Sequence, residues 1–396
     1  MRLFFKGGIL LQIMFCIVLF ASIWTNISIY TILIFSICIV LFVPVLRYID
    51  KIAIFIFLFS ISYTLIMLVH DVASWANWMS YLICPTLFYC YGKYVVDKAN
   101  GDARSLVSFW CISILLFSSI LYISALQDIL ENGFINVMRN FTIWGAENSS
   151  LSATLYGLIA SLGLVGLPFF FIDTNSKSNT RYLFLALSAL SLVTVIHLVN
   201  RTGLIVLFIC FVITTLYYSK GKLSHFFILF LVIGLVVFIL LQQQILSKDI
   251  VDAYLARNEG VGSVNTAGGR FVKWSTALNN LFIYPFGWSY ANIQYGYVHN
   301  LWLDIARVAG FIPFLFFIIA TIQSFAALIR LLRIKERIIT PLILGLNICF
   351  FLSSFVEPVI DAIALYFYLY VMLWGMQSQL FKLYRVYGYN RVEIWR

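Results

Sequence analysis

The sequence predicts an all-α fold: a polytopic transmembrane helical bundle of about twelve spans, with a long, partly helical loop before the tenth. Three observations predict it. Hydrophobic residues make up 62% of the chain and charged residues only 11%, where soluble domains run nearer half and a quarter. Apolar runs of about 20 residues recur along the whole length, each able to cross a ~30 Å hydrocarbon core. Lysines and arginines alternate between the loops rather than scattering. The mean hydropathy of +0.97 excludes a soluble core of this size.

The first span, 7–24, follows Arg2 and Lys6. This basic start resembles a signal peptide, yet no small-x-small cleavage pattern follows and a second apolar run begins at once. An uncleaved first helix is expected. Further spans are read at 27–46, 52–69, 78–95, 105–126, 151–172, 181–199, 201–219, 223–243, 299–329, 338–356 and 359–380. Arg47 and Lys51 part the second span from the third, and Lys93, Lys98 and Arg104 part the fourth from the fifth. Lys177 and Arg181, Lys220 and Lys222, and the run Arg330, Arg333, Lys335 and Arg337 mark later loops on the same side, with Lys382, Arg385, Arg391 and Arg396 closing the chain. The opposite side holds only Arg139, Arg201, Lys248, Arg257, Arg270 and Lys273, and Arg307 falls inside a span. This asymmetry puts both termini in the cytoplasm. Residues 1–396 read as a single integral-membrane domain, with 244–298 a large outer loop within it.

The net charge of +10 is explained by the basic side of a bilayer, so no nucleic-acid partner is expected. Cys16, Cys38, Cys84, Cys90, Cys111, Cys210 and Cys349 all fall in apolar segments without metal-ligand spacing and read as small apolar fillers. No phosphate-loop glycine motif is present, which removes ATP-driven transport by that route.

The residues that stand out gather on the outer face. The loop 127–150 carries Asp128, Glu131, Arg139 and Glu147; it reads as a solvated connector, with Glu147 available for chemistry. Arg201, in Asn200-Arg201-Thr202-Gly203 and near His197, either snorkels from a helix end or binds an anion. Phe271, Trp274, Leu278 and Leu281 mark one face of a helix with Arg270 and Lys273 in its first turn, after Gly268-Gly269. Such a helix suits the interface plane, and glycines before a helix start leave amides for a phosphate that Arg270 would grip bidentately. Tyr284, Phe286, Trp288, Tyr290, Tyr295 and Tyr297 form either an interfacial aromatic belt or stacking faces for sugar rings. His299 is an interfacial histidine or a general base for a hydroxyl. Asp304 and Arg307, three residues apart, are placed to pair with each other. Glu357 and Asp361, flanking Pro358, are loop residues, counter-charges for the arginines or contacts for acceptor hydroxyls.

Taken together, Asn200-Arg201-Thr202-Gly203, Gly269-Arg270 with Trp274, and Tyr297-Val298-His299-Asn300-Leu301 leading to Gly310-Phe311-Ile312 carry a family resemblance. The chain resembles the O-antigen polymerase (Wzy) and O-antigen ligase (WaaL) superfamily of bacterial inner membranes, in detail over about 195–313 and elsewhere in hydropathy. The resemblance implies glycan transfer from undecaprenyl pyrophosphate at the periplasmic face, with no cofactor and no metal. It implies Arg201 and Arg270 on the donor pyrophosphate and His299 on the acceptor hydroxyl. Lys273, Trp274, Trp288, Tyr297, Asn300 and Arg307 are the expected further substrate contacts. The implied partners are lipid-linked oligosaccharide, membrane lipids, a chain-length regulator and a flippase. Polymerisation of repeat units is the first expectation and ligation to lipid A–core the alternative. A polysaccharide flippase ranks third, because related halves around a midplane site are not seen. On this reading 265–310 supplies half a site, and Arg201 from another helix supplies the rest.

Overall fold

The computed structural model describes residues 9–71, 73–134, 140–166, 179–218, 269–289, 296–334 and 338–387. In chain order its elements are α1 (Ile9–Ala21), α2 (Thr25–Phe42), α3 (Lys51–Val69), α4 (Trp75–Lys98), α5 (Ala103–Asn132), a hairpin of β1 (Asn140–Ile143) and β2 (Ala146–Ser152), then α6 (Ala153–Leu164), α7 (Asn179–His197) and α8 (Arg201–Tyr218). The chain continues through α9 (Arg270–Ile283), α10 (Leu301–Ala309), α11 (Phe311–Leu332), α12 (Ile339–Val356), α13 (Val359–Ala362) and α14 (Ala364–Tyr387). Among the described residues helix dominates, and four helices, α3, α5, α11 and α12, are long and apolar enough to cross a membrane. Shorter apolar helices lie at Ile9–Ala21, Ile27–Phe42, Tyr182–His197 and Arg201–Thr214. The span expected at 223–243 and most of the 244–298 loop lie outside the described residues. Among the described residues none of the seven cysteines forms a disulfide.

The chain packs as two compact units, Met1–Phe117 with Val272–Arg396, and Ser118–Phe271. In the first unit α4 and α14 touch backbone to backbone. A Cβ on Gly92 would stand 2.1 Å from the Met372 carbonyl oxygen, and one on Gly375 2.0 Å from that of Tyr89. Small residues at a crossing let helices approach where lipid gives no hydrophobic drive for association. Around this contact Tyr89, Tyr91, Tyr366, Tyr370 and Trp374 are fully buried. Polar side chains tie the neighbours: Gln377 Nε2 donates to Ser324 Oγ (2.6 Å), and Gln377 Oε1 accepts from Asn347 Nδ2 (2.9 Å), linking α11, α12 and α14. Asp50 caps α3 through the Ala53 amide (3.1 Å) and holds the buried Lys93 ammonium at 2.5 Å. Burial pushes the Asp50 carboxyl up, but Lys93 and the surrounding donors outweigh it and hold the group below its ordinary value. Gly375→Ala is expected to destabilise this unit by ~1–3 kcal/mol, because the clash is with backbone that cannot rotate away. Thermal melting in detergent followed by tryptophan fluorescence checks this; an unchanged midpoint contradicts the crossing.

In the second unit α6 and α7 approach through Gly163, whose Cβ would meet Ser191 Oγ at 2.1 Å. Ser188 Oγ donates to the Gly163 carbonyl (2.8 Å), and Tyr122 and Ser191 share a hydroxyl bond of 2.6 Å.

Three expectations are corrected. The stretch 127–150 is not simply a solvated connector: α5 runs on to Asn132, Asp128 is buried, and an antiparallel hairpin pairs Asn140 with Ser152 and Phe141 with Leu151. Gly145, at φ 76°, makes the turn. The span 299–329 is broken at Gly310 (φ 76°), where a Cβ would lie 2.0 Å from the Pro285 carbonyl oxygen and the Phe311 amide instead bonds that oxygen at 2.8 Å. The span 359–380 is interrupted at the extended Ile363; the Ile360 carbonyl, which a continuous helix would bond to residue 364, accepts the Tyr81 hydroxyl at 2.6 Å.

Candidate functional site

In the first unit a polar turn between α9 and α10 is built on a small apolar cluster. Ala277 and Leu281 of α9, Trp288, Val298, and Leu303 and Ala306 of α10 are buried together, with Trp274, Tyr284 and Phe314 packed against them. The face of α9 that packs is therefore Trp274, Ala277 and Leu281. Phe271 and Leu278, expected on the same face, are exposed together with Val272, Phe282 and Ile283. An apolar face left uncovered beside a packed one suits a helix lying in the headgroup layer. The Pro285–Trp288 turn clamps the far end of α10. Gly287 (φ 94°) allows it, since a Cβ there would strike the Val308 carbonyl oxygen at 2.5 Å, and the Trp288 amide bonds the Arg307 carbonyl at 2.8 Å.

Asp304 organises the turn from below. Its carboxylate, 0% exposed, accepts the Val298 amide (2.8 Å) on Oδ1 and the Asn300 amide (3.1 Å) on Oδ2. Those two amides flank His299, so one carboxylate fixes the backbone on both sides of it. His299 itself is left-handed, at φ 59°. A non-glycine residue in that region costs of order 1–3 kcal/mol and persists where the surroundings over-determine it. Asn300 then caps α10, its Oδ1 accepting the Leu303 amide (3.2 Å) while Nδ2 donates to the Phe355 carbonyl (3.2 Å). Arg307 Nε lies 3.4 Å from Asp304 Oδ1, and its guanidinium sits 5.4 Å from the Tyr297 ring centroid. Lys273 Nζ donates to the Tyr297 carbonyl (3.3 Å), and Trp274 Nε1 to the Val298 carbonyl (3.2 Å).

The His299 side chain is 28% exposed, and its Nδ1 lies 3.5 Å from Oε2 of Glu357, a carboxylate 5% exposed at the end of α12. At 3.5 Å this is an ion-pair contact rather than a hydrogen bond, and the carboxylate would complement a proton gained by the ring. One turn earlier on α12, the Ser354 hydroxyl is buried without a hydrogen-bond partner among the described residues. A partly open imidazole with a carboxylate near its ring can take a proton from a bound alcohol.

The expected site residues are thus distributed unevenly. His299, Lys273, Trp274, Tyr297, Asn300 and Arg307 come together. Tyr297 remains exposed and available for stacking, whereas the Trp288 ring is packed in the apolar cluster and the Asn300 amide is used by the fold. Arg201 and Arg270 belong to the second unit. Each is half-buried and opens a helix: Arg201 follows Asn200, whose Oδ1 accepts the Gly203 amide at 2.9 Å, and Arg270 follows Gly269 at φ 79°. A helix start adds amides and a positive dipole end to each guanidinium.

Two side-chain pairings differ from the expectation. Glu357 was read among several roles but not as the partner of His299, 58 residues earlier in the chain. Asp128 was read as a loop charge, yet its Oδ2 lies 2.8 Å from Nε2 of the fully buried His197. The cue for the first was an acidic residue beside a proline at a span end; for the second, a histidine and an aspartate each near the outer end of an apolar run. Among the described residues no group of three metal-ligating side chains is present. Compared with known proteins, the chain matches no family model and no curated protein sequence.

Proposed function

We propose that this chain is a metal-independent membrane glycosyltransferase that polymerises lipid-linked oligosaccharide repeat units, as O-antigen polymerases do. In this reading about twelve spans place both termini in the cytoplasm of a bacterial inner membrane and the active face in the periplasm. The observation that supports it most is the left-handed, partly exposed His299 with Glu357 behind its ring and Asp304 pinning its backbone. The lone pair of His299 Nε2 takes the proton of the acceptor sugar hydroxyl. The hydroxyl oxygen bonds the anomeric carbon of the donor as the bond from that carbon to the pyrophosphate oxygen breaks, and undecaprenyl pyrophosphate leaves with the electron pair. Arg201 and Arg270 stabilise charge where it develops, which is the task a metal performs in other transferases. Arg307, Lys273, Trp274 and Tyr297 shape the acceptor side.

Arg270→Lys tests the diphosphate role within this reading, because an ammonium is a point donor and cannot replace a planar fork. Lengthening is expected to fall well below wild type; full activity would contradict bidentate binding. In a strain lacking the gene, surface glycan should consist of single repeats still joined to core. Loss of all core-joined repeats, with lipid-linked polymer accumulating, would assign the chain to ligation instead.

A further inference from the structure

We infer that His197 and Asp128 form a buried, proton-holding pair that positions Arg201 for an anionic diphosphate ligand; the inference rests on the donor-binding role proposed for Arg201. The hydrogen bonds determine the proton count. Nδ1 of His197 lies 2.8 Å from the Phe134 carbonyl oxygen, which can only accept, so Nδ1 carries a hydrogen. Nε2 lies 2.8 Å from Asp128 Oδ2, so the pair holds one further proton between ring and carboxyl. Asn132 Nδ2 donates to Asp128 Oδ1 at 2.8 Å, so both carboxyl oxygens are held. His197 is the last residue of α7.

The pair anchors a very tight corner. Between His197 and Arg201 lie only three residues, and the middle one, Val199, is left-handed at φ 49°. A β-branched residue in that region is a genuine outlier, held only by what surrounds it. The Asn200 amide bonds the Val195 carbonyl at 2.9 Å, while its side chain caps α8 through Gly203. The same side chain fills the place where a Gly157 Cβ would stand, 1.9 Å from Nδ2. A Cβ on Gly203 would meet Val195 Cγ2 at 2.8 Å. The end of α7, the face of α6 and the start of α8 thus converge on the residue before Arg201, and the end of α5 joins them through His197. The His197–Asp128 bond ties the end of α5 to the end of α7 across this corner. Arg201 is the first residue after that corner, so that bond holds the point from which its backbone enters α8. His197 and Asp128 are positioning residues; they do not touch the ligand.

The test measures binding of undecaprenyl pyrophosphate to the full-length purified chain in detergent, for wild type, Arg201→Ala, Asp128→Asn and the milder Asn132→Ala, with melting midpoints taken without lipid. Asn at 128 keeps the shape and loses the charge. The expected result is loss of binding for Arg201→Ala, about tenfold weaker binding for Asp128→Asn, and a smaller weakening in the same direction for Asn132→Ala, with the Asn132→Ala midpoint near wild type. Wild-type affinity in Asp128→Asn, with Arg201→Ala still unable to bind, overturns the positioning role and leaves the donor-binding role standing. If Asp128→Asn does not fold, Asn132→Ala decides: unchanged affinity overturns the inference. Binding by Arg201→Ala as tight as wild type removes the donor-binding reading, and this inference with it.

Discussion

His299→Ala is expected to lower the rate of chain lengthening by about 10²–10⁴, the usual worth of a positioned general base. The protein should still insert and fold, because the His299 side chain is partly exposed and the turn is held through backbone amides rather than the ring. Glu357→Gln should lose less, since the imidazole remains and only the negative charge near its ring is removed. The ordering is the informative part. If Glu357 acted only as a loop charge, its neutral isostere would match wild type, and a His299→Ala rate near wild type would remove the base altogether. Initial rates with a defined lipid-linked donor and acceptor measure both.

The second large effect is expected at Asp304, and it is one of stability. Asp304→Ala removes the acceptor of two buried amides, each costing ~1–3 kcal/mol when left unpaired. It also leaves the largely buried Arg307 without its carboxylate, and breaking a buried pair costs roughly 3–5 kcal/mol. These terms overlap and do not simply add, yet together they should lower the melting midpoint far more than Gly375→Ala does. Combining Asp304→Ala with Arg307→Met should recover part of the loss, because no charge is then stranded. A midpoint unchanged in the single variant would mean that the carboxylate does not organise the turn.

Much of this was readable from sequence, for physical reasons that also explain the misses. Hydropathy locates α3, α5, α11 and α12 because a lipid-spanning helix must be apolar along its whole length. Asn200 and Asn300 cap their helices, whereas the sequence offers Asn300 as a substrate contact. The break at Gly310 is not legible, since the apolar run is unbroken through Gly310-Phe311-Ile312 and glycine is tolerated in spans. Its cause, the Pro285 carbonyl, lies 25 residues earlier in the chain. The β1–β2 hairpin did leave a trace in Phe141-Thr142-Ile143 before Trp144-Gly145, an alternating run ending at a turn glycine. Charge type and position cannot say which loop residues will meet. Asp128 and His197, separated by 69 positions, became a buried pair only once α5 and α7 were packed. The same holds for His299 with Glu357, whereas Asp304 and Arg307, three apart on one helix face, were expected to pair and lie 3.4 Å apart.

The central claim is that Arg201, Arg270 and His299 serve one transfer reaction. The most direct test incubates the purified chain in detergent, without a sealed membrane, with a defined undecaprenyl-pyrophosphate-linked repeat unit and follows product length by gel. The account predicts a ladder of lengthened glycans from wild type and single repeats alone from Arg201→Ala, Arg270→Ala and His299→Ala. Unlengthened donor from a folded wild-type chain, or normal ladders from two of the three variants, would contradict it.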